Sequence, residues 1–386
     1  MVNLFPALVI AGPPHSGKSV LSFLLSQNLR EMGIAHYLLR ATPDGEGNWF
    51  HEGKSKWVYS LRQKEKGVFS AGFIKQIIAI INARSLPLLV DVGGAPRGAQ
   101  FNILKACTHS IILYKNDKDL AQWRDYCDDA NLIPVAELFS LREGDEKIKK
   151  AQPFLSASIK NLDRRKAQTG ISFGAVLERV SGIFYYRAKE LEKVHTASAP
   201  YTPQLENDFA KKIGKTTSKH LWKASDLALL KEILPPKASF ALYGRGPVWL
   251  TGFFSAHNSP APFSVFDIRY GWINISTIEA KAEASLKYKA SKKLGADWMD
   301  LSLPTQEVLP EDISIPIWEE RGGLVLSGIL PKWLYAVLTA FYAPKRAWIG
   351  IYEPRENRVI VIFSRVPSLT LGESIFLDEG IATEKE

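Results

Sequence analysis

The chain has 386 residues, 46% of them hydrophobic and 11% aromatic, which is enough apolar material for two globular domains and excludes a disordered or low-complexity protein. Its net charge of +9 favours anionic partners such as nucleotides or RNA, although many soluble proteins are mildly basic. Cys107 and Cys127 supply neither a disulfide framework nor a metal pair, no run reaches about 18 uninterrupted apolar residues, and the run Leu4 to Ala11 has the wrong flanks for a signal peptide, so a cytoplasmic protein with no membrane partner is expected.

The first half alternates strand and helix patterns. A buried-strand run, LFPALVIAG, leads into GPPHSGKS, in which Gly12, Gly17, Lys18 and Ser19 fit G-x-x-x-x-G-K-[ST]. Glycines let consecutive backbone N–H groups, those around Ser16 included, curl round phosphate oxygens, while Lys18 reaches the terminal phosphates and the Ser19 hydroxyl ligates Mg²⁺. Leu21, Leu25 and Leu29 mark a helix opening at the loop, so a nucleoside triphosphate such as ATP is the expected ligand. IAHYLLR predicts a second strand. The loop after it holds Asp44, Glu46, Trp49 and Phe50, either a sensor of phosphate or second substrate or an ordinary acidic turn. Phe69, Phe73, Ile74, Ile77, Ile78 and Ile81 mark an amphipathic helix. The strand LPLLVDV ends in Asp91 with Gly94 at the spacing D-x-x-G, which suits an acid holding Mg²⁺ through water and a glycine approaching the γ-phosphate. After the strand HSIILY, Asn116 and Asp119 serve as base readers or as a helix cap. NLIPVAELF is expected to be the last strand; the charged segment from Leu141 has no strong period, and FGAVLERVSGIFYYRAKELEKV predicts one helix. Alternation of this kind implies a parallel sheet with helices on both faces. The Pro-, Ser- and Thr-rich HTASAPYTPQ marks the boundary between a P-loop domain, 1–198, and a second domain, 199–380.

The second half contains seven of the ten tryptophans and opens with a basic run, KKIGKTTSKHLWK, either a solvated face or a contact for RNA phosphates or for the first domain. It is duplicated. Gly244, Pro247, Trp249 and Leu250 recur 84 positions later as Gly328, Pro331, Trp333 and Leu334, and Asp267-Ile-Arg269 is echoed two residues out of register by Glu353-Pro-Arg355. The repeats are expected at about 199–286 and 287–380, each a Gly-Pro turn, an aromatic helix and a strand. Residues two apart on a strand share a face, so Asp267 and Arg269 are expected to point the same way, either to hold a metal or activate a hydroxyl while stabilising a phosphorane, or as a cross-strand salt bridge.

YGRGPVWL, the following Ala256-His257 and FDIRYG resemble the CRISPR-associated ring nucleases of the third described family, some of which are fused to a P-loop ATPase-like domain. The resemblance implies small α+β units, here duplicated in one chain as a pseudo-dimer, Mn²⁺-dependent cleavage of cyclic tetra-adenylate, and homo-oligomers with the cyclic oligoadenylate between subunits. Carried over by position, Arg245, His257, Asp267 and Arg269 are the implied catalytic residues, with Asp267 the implied metal ligand. The chain departs from the family where a further histidine pair is expected, reading NSPAPF, and the second copy has Ile329 for the turn arginine and Glu353 for the aspartate. The expected function is removal of a cyclic oligoadenylate signal, modulated by nucleotide at the P-loop. A binding protein that sequesters the ring, a P-loop ATPase or kinase with the duplicated domain presenting substrate, and a general RNA exonuclease are the other possibilities.

Overall fold

The computed structural model describes residues 5–42, 70–94, 96, 98–162, 170–197, 199, 202–215, 222–234, 239–303 and 308–377. Asp44, Glu46, Trp49, Phe50, Phe69 and positions 216–221 of the basic run lie outside them. By internal contacts the chain divides into Met1–Val194 with Ile268–Tyr270, and His195–Asp267 with Gly271–Glu386.

The first unit is built on a seven-stranded sheet of β1 (Ala7–Ala11), β2 (Tyr37–Ala41), β3 (Leu88–Val92), β4 (His109–Tyr114), β5 (Ile133–Leu141), β6 (Ile148–Lys150) and β7 (Leu155–Lys160), ordered β2-β3-β1-β4-β5-β7-β6. Every pairing is parallel except β6 with β7. Because strand side chains alternate, β1 is buried on both faces. Leu8 and Ile10 join the leucines of α1 (Lys18–Glu31); Ala7, Val9 and Ala11 join the isoleucines of α2 (Ala71–Ala83), Ile103 and Leu104 of α3 (Phe101–Ala106) and Trp123 of α4 (Asp117–Asp129). Phe173, Val176, Val180 and Phe184 of α5 (Ile171–Phe184) complete the α1 face.

Two expectations are corrected. The sheet does not end at β5. Leu155, Ala157 and Ile159 of β7 are buried and alternate with Ser156 and Ser158, a period-2 strand pattern inside the charged segment. The long helix expected after it is two, α5 and α6 (Ala188–Thr196). The chain turns extended at Tyr185, and the Arg187 backbone N–H donates to the Glu190 carboxylate at 3.0 Å, capping the new helix.

In the second unit α7 (Asp226–Glu232) precedes the first copy: β8 (Phe240–Leu242), α8 (Val248–Asn258), β9 (Phe263–Asp267) and β10 (Gly271–Asn274). Then come β11 (Ala280–Lys281), β12 (Lys287–Lys293), β13 (Ala296–Ser302) and β14 (Ile315–Pro316). The second copy is β15 (Gly323–Gly328), α9 (Lys332–Tyr342), β16 (Trp348–Glu353) and β17 (Arg358–Ser364), followed by β18 (Ser374–Phe376). In both copies the strands flanking the helix pair in parallel and the next strand pairs antiparallel. The first copy is a sheet of three strands; the second is widened to six, ordered β12-β13-β15-β16-β17-β18.

The local geometry of the copies agrees. Gly244 and Gly328 have φ of 128° and 136°, and Pro247 and Pro331 precede the helices with φ of −66° in each. The tryptophan and leucine that follow are buried in both. Helices α8 and α9 meet closely: a Cβ on Gly252 would lie 2.8 Å from Ile351 Cδ1 and 3.2 Å from both Ile362 Cδ1 and Thr339 Cγ2. Ser255 Oγ donates to the Ala336 carbonyl at 2.6 Å. With the 84-residue offset, the pair 252–339 maps onto the pair 336–255, so the contact is reciprocal, as across a two-fold axis. Beyond α9, the fully buried Arg346 places Nη1 2.5 Å from Asp297 Oδ2 at the head of β13, with its guanidinium 5.1 Å from the Trp318 ring centre.

Two variants test this packing by urea unfolding. Gly252→Val overfills the helix contact and lowers stability by about 1–3 kcal/mol. Asp297→Ala strands the buried guanidinium and costs about 3–5 kcal/mol. An unchanged midpoint for either contradicts the contact it removes.

Candidate functional site

Strand β1 is central in its sheet, with β3 on one side and β4 on the other. Its connection runs toward β2 and that of β4 toward β5, so the two loops diverge at a topological switch point, where ligands of such sheets bind. The loop after β1 needs its glycines there. Gly12 has φ 143°, and a Cβ on it would stand 2.2 Å from the Leu113 carbonyl oxygen. His15 and Gly17 are also left-handed, at φ 59° and 93°, and α1 starts at Lys18 with no side chain capping its first N–H groups.

Positive groups gather round this loop. Lys18 is buried, and its Nζ donates to the carbonyls of Gly12 and Pro13, both at 2.8 Å. Burial lowers its pKa to about 8, against an upward pull from Asp91 and with a further downward push from Lys115. Lys115, directly after β4, donates to the Pro14 carbonyl at 2.8 Å. The Ser16 hydroxyl is buried and lacks a hydrogen-bond partner among the described residues. Gly94 lies against the loop, where a Cβ would come 3.2 Å from Pro14 Cγ.

Ser19 and Asp91 are brought to one point by a residue that the sequence did not single out. Arg40, near the end of β2, places Nη2 3.2 Å from Ser19 Oγ and 3.3 Å from Asp91 Oδ2. A hydroxyl and a carboxylate are oxygen donors of the type that Mg²⁺ takes, so Ser19 and Asp91 match that ion in donor type, with the Arg40 guanidinium between them. The only advance signals of Arg40 and Lys115 were their positions at the ends of predicted strands. Asn116 and Asp119 act as a helix cap: Asn116 Oδ1 accepts from the Asp119 N–H at 2.8 Å, and Asp119 Oδ2 from the Lys115 N–H at 3.3 Å.

In the duplicated unit the sequence-predicted residues lie on the first copy's turns, on α8 and at the end of β9. Arg245 is exposed on the turn between β8 and α8. His257, near the end of α8, is half-buried with its ring centre 4.6 Å from that of Phe253 and 5.4 Å from that of Phe363. Asp267 is the last residue of β9, opposite Gly271 of β10. Arg269 lies in the turn that follows, its guanidinium 5.1 Å from the Tyr270 ring centre. The expected sharing of a strand face is therefore corrected, because the strand stops between the two residues. The second copy turns at the same place. Glu353 ends β16, and a left-handed residue comes four positions after the acid in both copies, Gly271 at φ 72° and Asn357 at φ 47°. The acid-x-Arg echo in the sequence thus coincides with a hairpin turn.

Among the described residues no three His, Cys, Asp or Glu side chains gather to hold a metal ion, Asp267 included. A cavity of about 230 Å³ beside the helix pair is lined by Ser255, Ser259, Ile275, Ile278, Ala340 and Phe341. It is open to solvent on one side. Lys215 of the basic run forms an ion pair with Asp226 at the start of α7. No helix among the described residues is long and apolar enough to cross a membrane.

Residues 303–376 match the family model described as CRISPR-associated protein (Cas_csx3). The match falls on the second copy, with its flanks, whereas the motifs that carried the resemblance lie in the first. An uncharacterised protein of Aquifex aeolicus (strain VF5) is 40% identical over 52 residues, 14% of this chain. The chain spans 46% of the length of that curated relative. Among solved structures, shikimate kinase from Acinetobacter baumannii in complex with shikimate is similar at 15% identity and a TM-score of 0.22, covering 46% of this chain and 93% of that one. A likeness at that level decides neither fold nor activity.

Proposed function

We propose that the duplicated unit recognises and cleaves cyclic oligoadenylate, cyclic tetra-adenylate in the first instance, and that nucleoside triphosphate with Mg²⁺ at the P-loop modulates it. The observation that carries this is the CRISPR-associated family match on the second copy, in a unit whose two copies share their turn geometry and pack reciprocally. A ring of four identical nucleotides has rotational symmetry of its own, so a pseudo-two-fold pair of turns suits it. The pair is chemically unequal, with Arg245 on one turn and Ile329 on the other, which favours one scissile position.

Cleavage uses the ribose 2′-oxygen as nucleophile. The 2′-O–P bond forms, the P–5′-O bond breaks, a base takes the 2′ proton, and the 5′ oxygen is protonated on leaving. His257 is the proposed base, Asp267 the group that orients it or holds a metal, and Arg245 or Arg269 the phosphate contact. Lys18 and the loop from Gly12 to Ser19 are the proposed triphosphate contacts, with Ser19 and Asp91 holding Mg²⁺ and Gly94 beside the γ-phosphate. Copies of the chain are proposed to assemble around the ring.

The test incubates the full chain with cyclic tetra-adenylate and Mn²⁺, with and without ATP, and separates the products by chromatography. Wild type yields linear oligoadenylate, and Asp267→Ala lowers the rate by about a hundredfold or more. Intact ring that is nevertheless bound leaves a sequestering protein; faster loss of linear oligoadenylate leaves an exonuclease. Lys18→Ala weakens ATP binding by about tenfold or more and removes the effect of ATP on cleavage while sparing cleavage without it. Phosphoryl transfer destroyed by Lys18→Ala and kept in Asp267→Ala contradicts this assignment and makes the P-loop the catalytic centre.

A further inference from the structure

Arg40 is not among the residues a phosphate-binding loop requires, and its surroundings give it a role of its own. Strands β2 and β3 pair with Arg40 opposite Asp91, so the two side chains leave the sheet side by side. The Asp91 side chain is 3% exposed and that of Arg40 21%. Arg40 Nη2 then reaches Ser19 Oγ at 3.2 Å and Asp91 Oδ2 at 3.3 Å. These are the two oxygens that such a site offers a divalent cation. Mg²⁺ binds oxygen at about 2.0–2.1 Å in a strict octahedron, and a guanidinium nitrogen within 3.3 Å of both oxygens takes up the space between them that an ion and its water would use. Two cations that close repel strongly in a partly desolvated site.

The charge around the loop points the same way. Among the described residues, Lys18 and Arg40 both interact with Asp91, and Lys115 lies close enough to Lys18 to lower its pKa. These cations are placed to meet a polyphosphate directly.

We propose that Arg40 is an internal counter-ion that competes with Mg²⁺ for Ser19 and Asp91, so that polyphosphate binding to this unit depends only weakly on divalent cation. This rests on the P-loop being a nucleotide site. Metal enters only as Arg40 leaves, and Arg40 is then a positioning residue that sets how much metal the site needs.

The experiment is an equilibrium titration of the full chain with fluorescently labelled ATP, in EDTA and in Mg²⁺, for wild type, Arg40→Ala and Arg40→Lys, with thermal melts to follow folding. Wild-type affinity is expected to change by less than about threefold between the two conditions. Arg40→Ala is expected to weaken metal-free binding by about tenfold, with Mg²⁺ restoring it. Arg40→Lys keeps the charge without the fork and stays closer to wild type without metal. A wild type that needs Mg²⁺ by about tenfold or more overturns the proposal, and this holds even where Arg40→Ala fails to fold. So does an Arg40→Ala chain whose affinity falls equally in both conditions, which marks Arg40 as a plain phosphate contact. A wild type that binds no nucleotide in either condition overturns the P-loop reading together with this one, and leaves ring cleavage to be judged by its own assay.

Discussion

The second unit depends on the close approach of α8 and α9 at Gly252. A strand–helix–strand segment of this size buries only one side of its helix on its own sheet, and the other side needs a partner. Here the partner is the other copy. The missing side chain at Gly252 lets the helix backbone settle among Ile351, Ile362 and Thr339, and Ser255 reaches across to a carbonyl of α9. Once the helices are fixed, the Gly-Pro turns before them and the hairpins after the next strands are fixed as well. Those four turns carry Arg245, Ile329, Asp267 and Glu353 at the ends of regular structure. Duplication therefore supplies two similar sets of turns, and divergence at Arg245 and Ile329 supplies the asymmetry.

The first unit obeys an electrostatic constraint. Its loop turns carbonyls of Gly12, Pro13 and Pro14 toward Lys18 and Lys115, so ammonium groups occupy the ground around the N-terminus of α1. A helix start with open N–H groups and buried cations is a favourable place for an anion. Asp91 offsets part of that charge through Arg40.

Much of this was legible in the chain because it depends on local rules. Spacing picks out the loop from Gly12 to Ser19, since backbone curvature there needs glycine at fixed positions. The repeat is visible because a left-handed glycine, a proline before the helix and a buried tryptophan recur at one offset. Long-range placement was not legible. Arg40 reads as the polar end of a strand until the pairing of β2 with β3 sets it opposite Asp91. Strand β7 carries a period-2 pattern, Leu155-Ser-Ala157-Ser-Ile159, but it is short and set among charged residues, and nothing in FDIRYG says that the strand stops at Asp267.

The central claim is that the duplicated unit recognises a closed ring of adenylates. Its most direct measurement is a calorimetric titration of the full chain with cyclic tetra-adenylate and, separately, with linear tetra-adenylate, under conditions where neither is cut. The account predicts saturable binding of the ring that is at least about tenfold tighter than that of the linear chain. Equal affinity for both, or no binding of the ring, would contradict it.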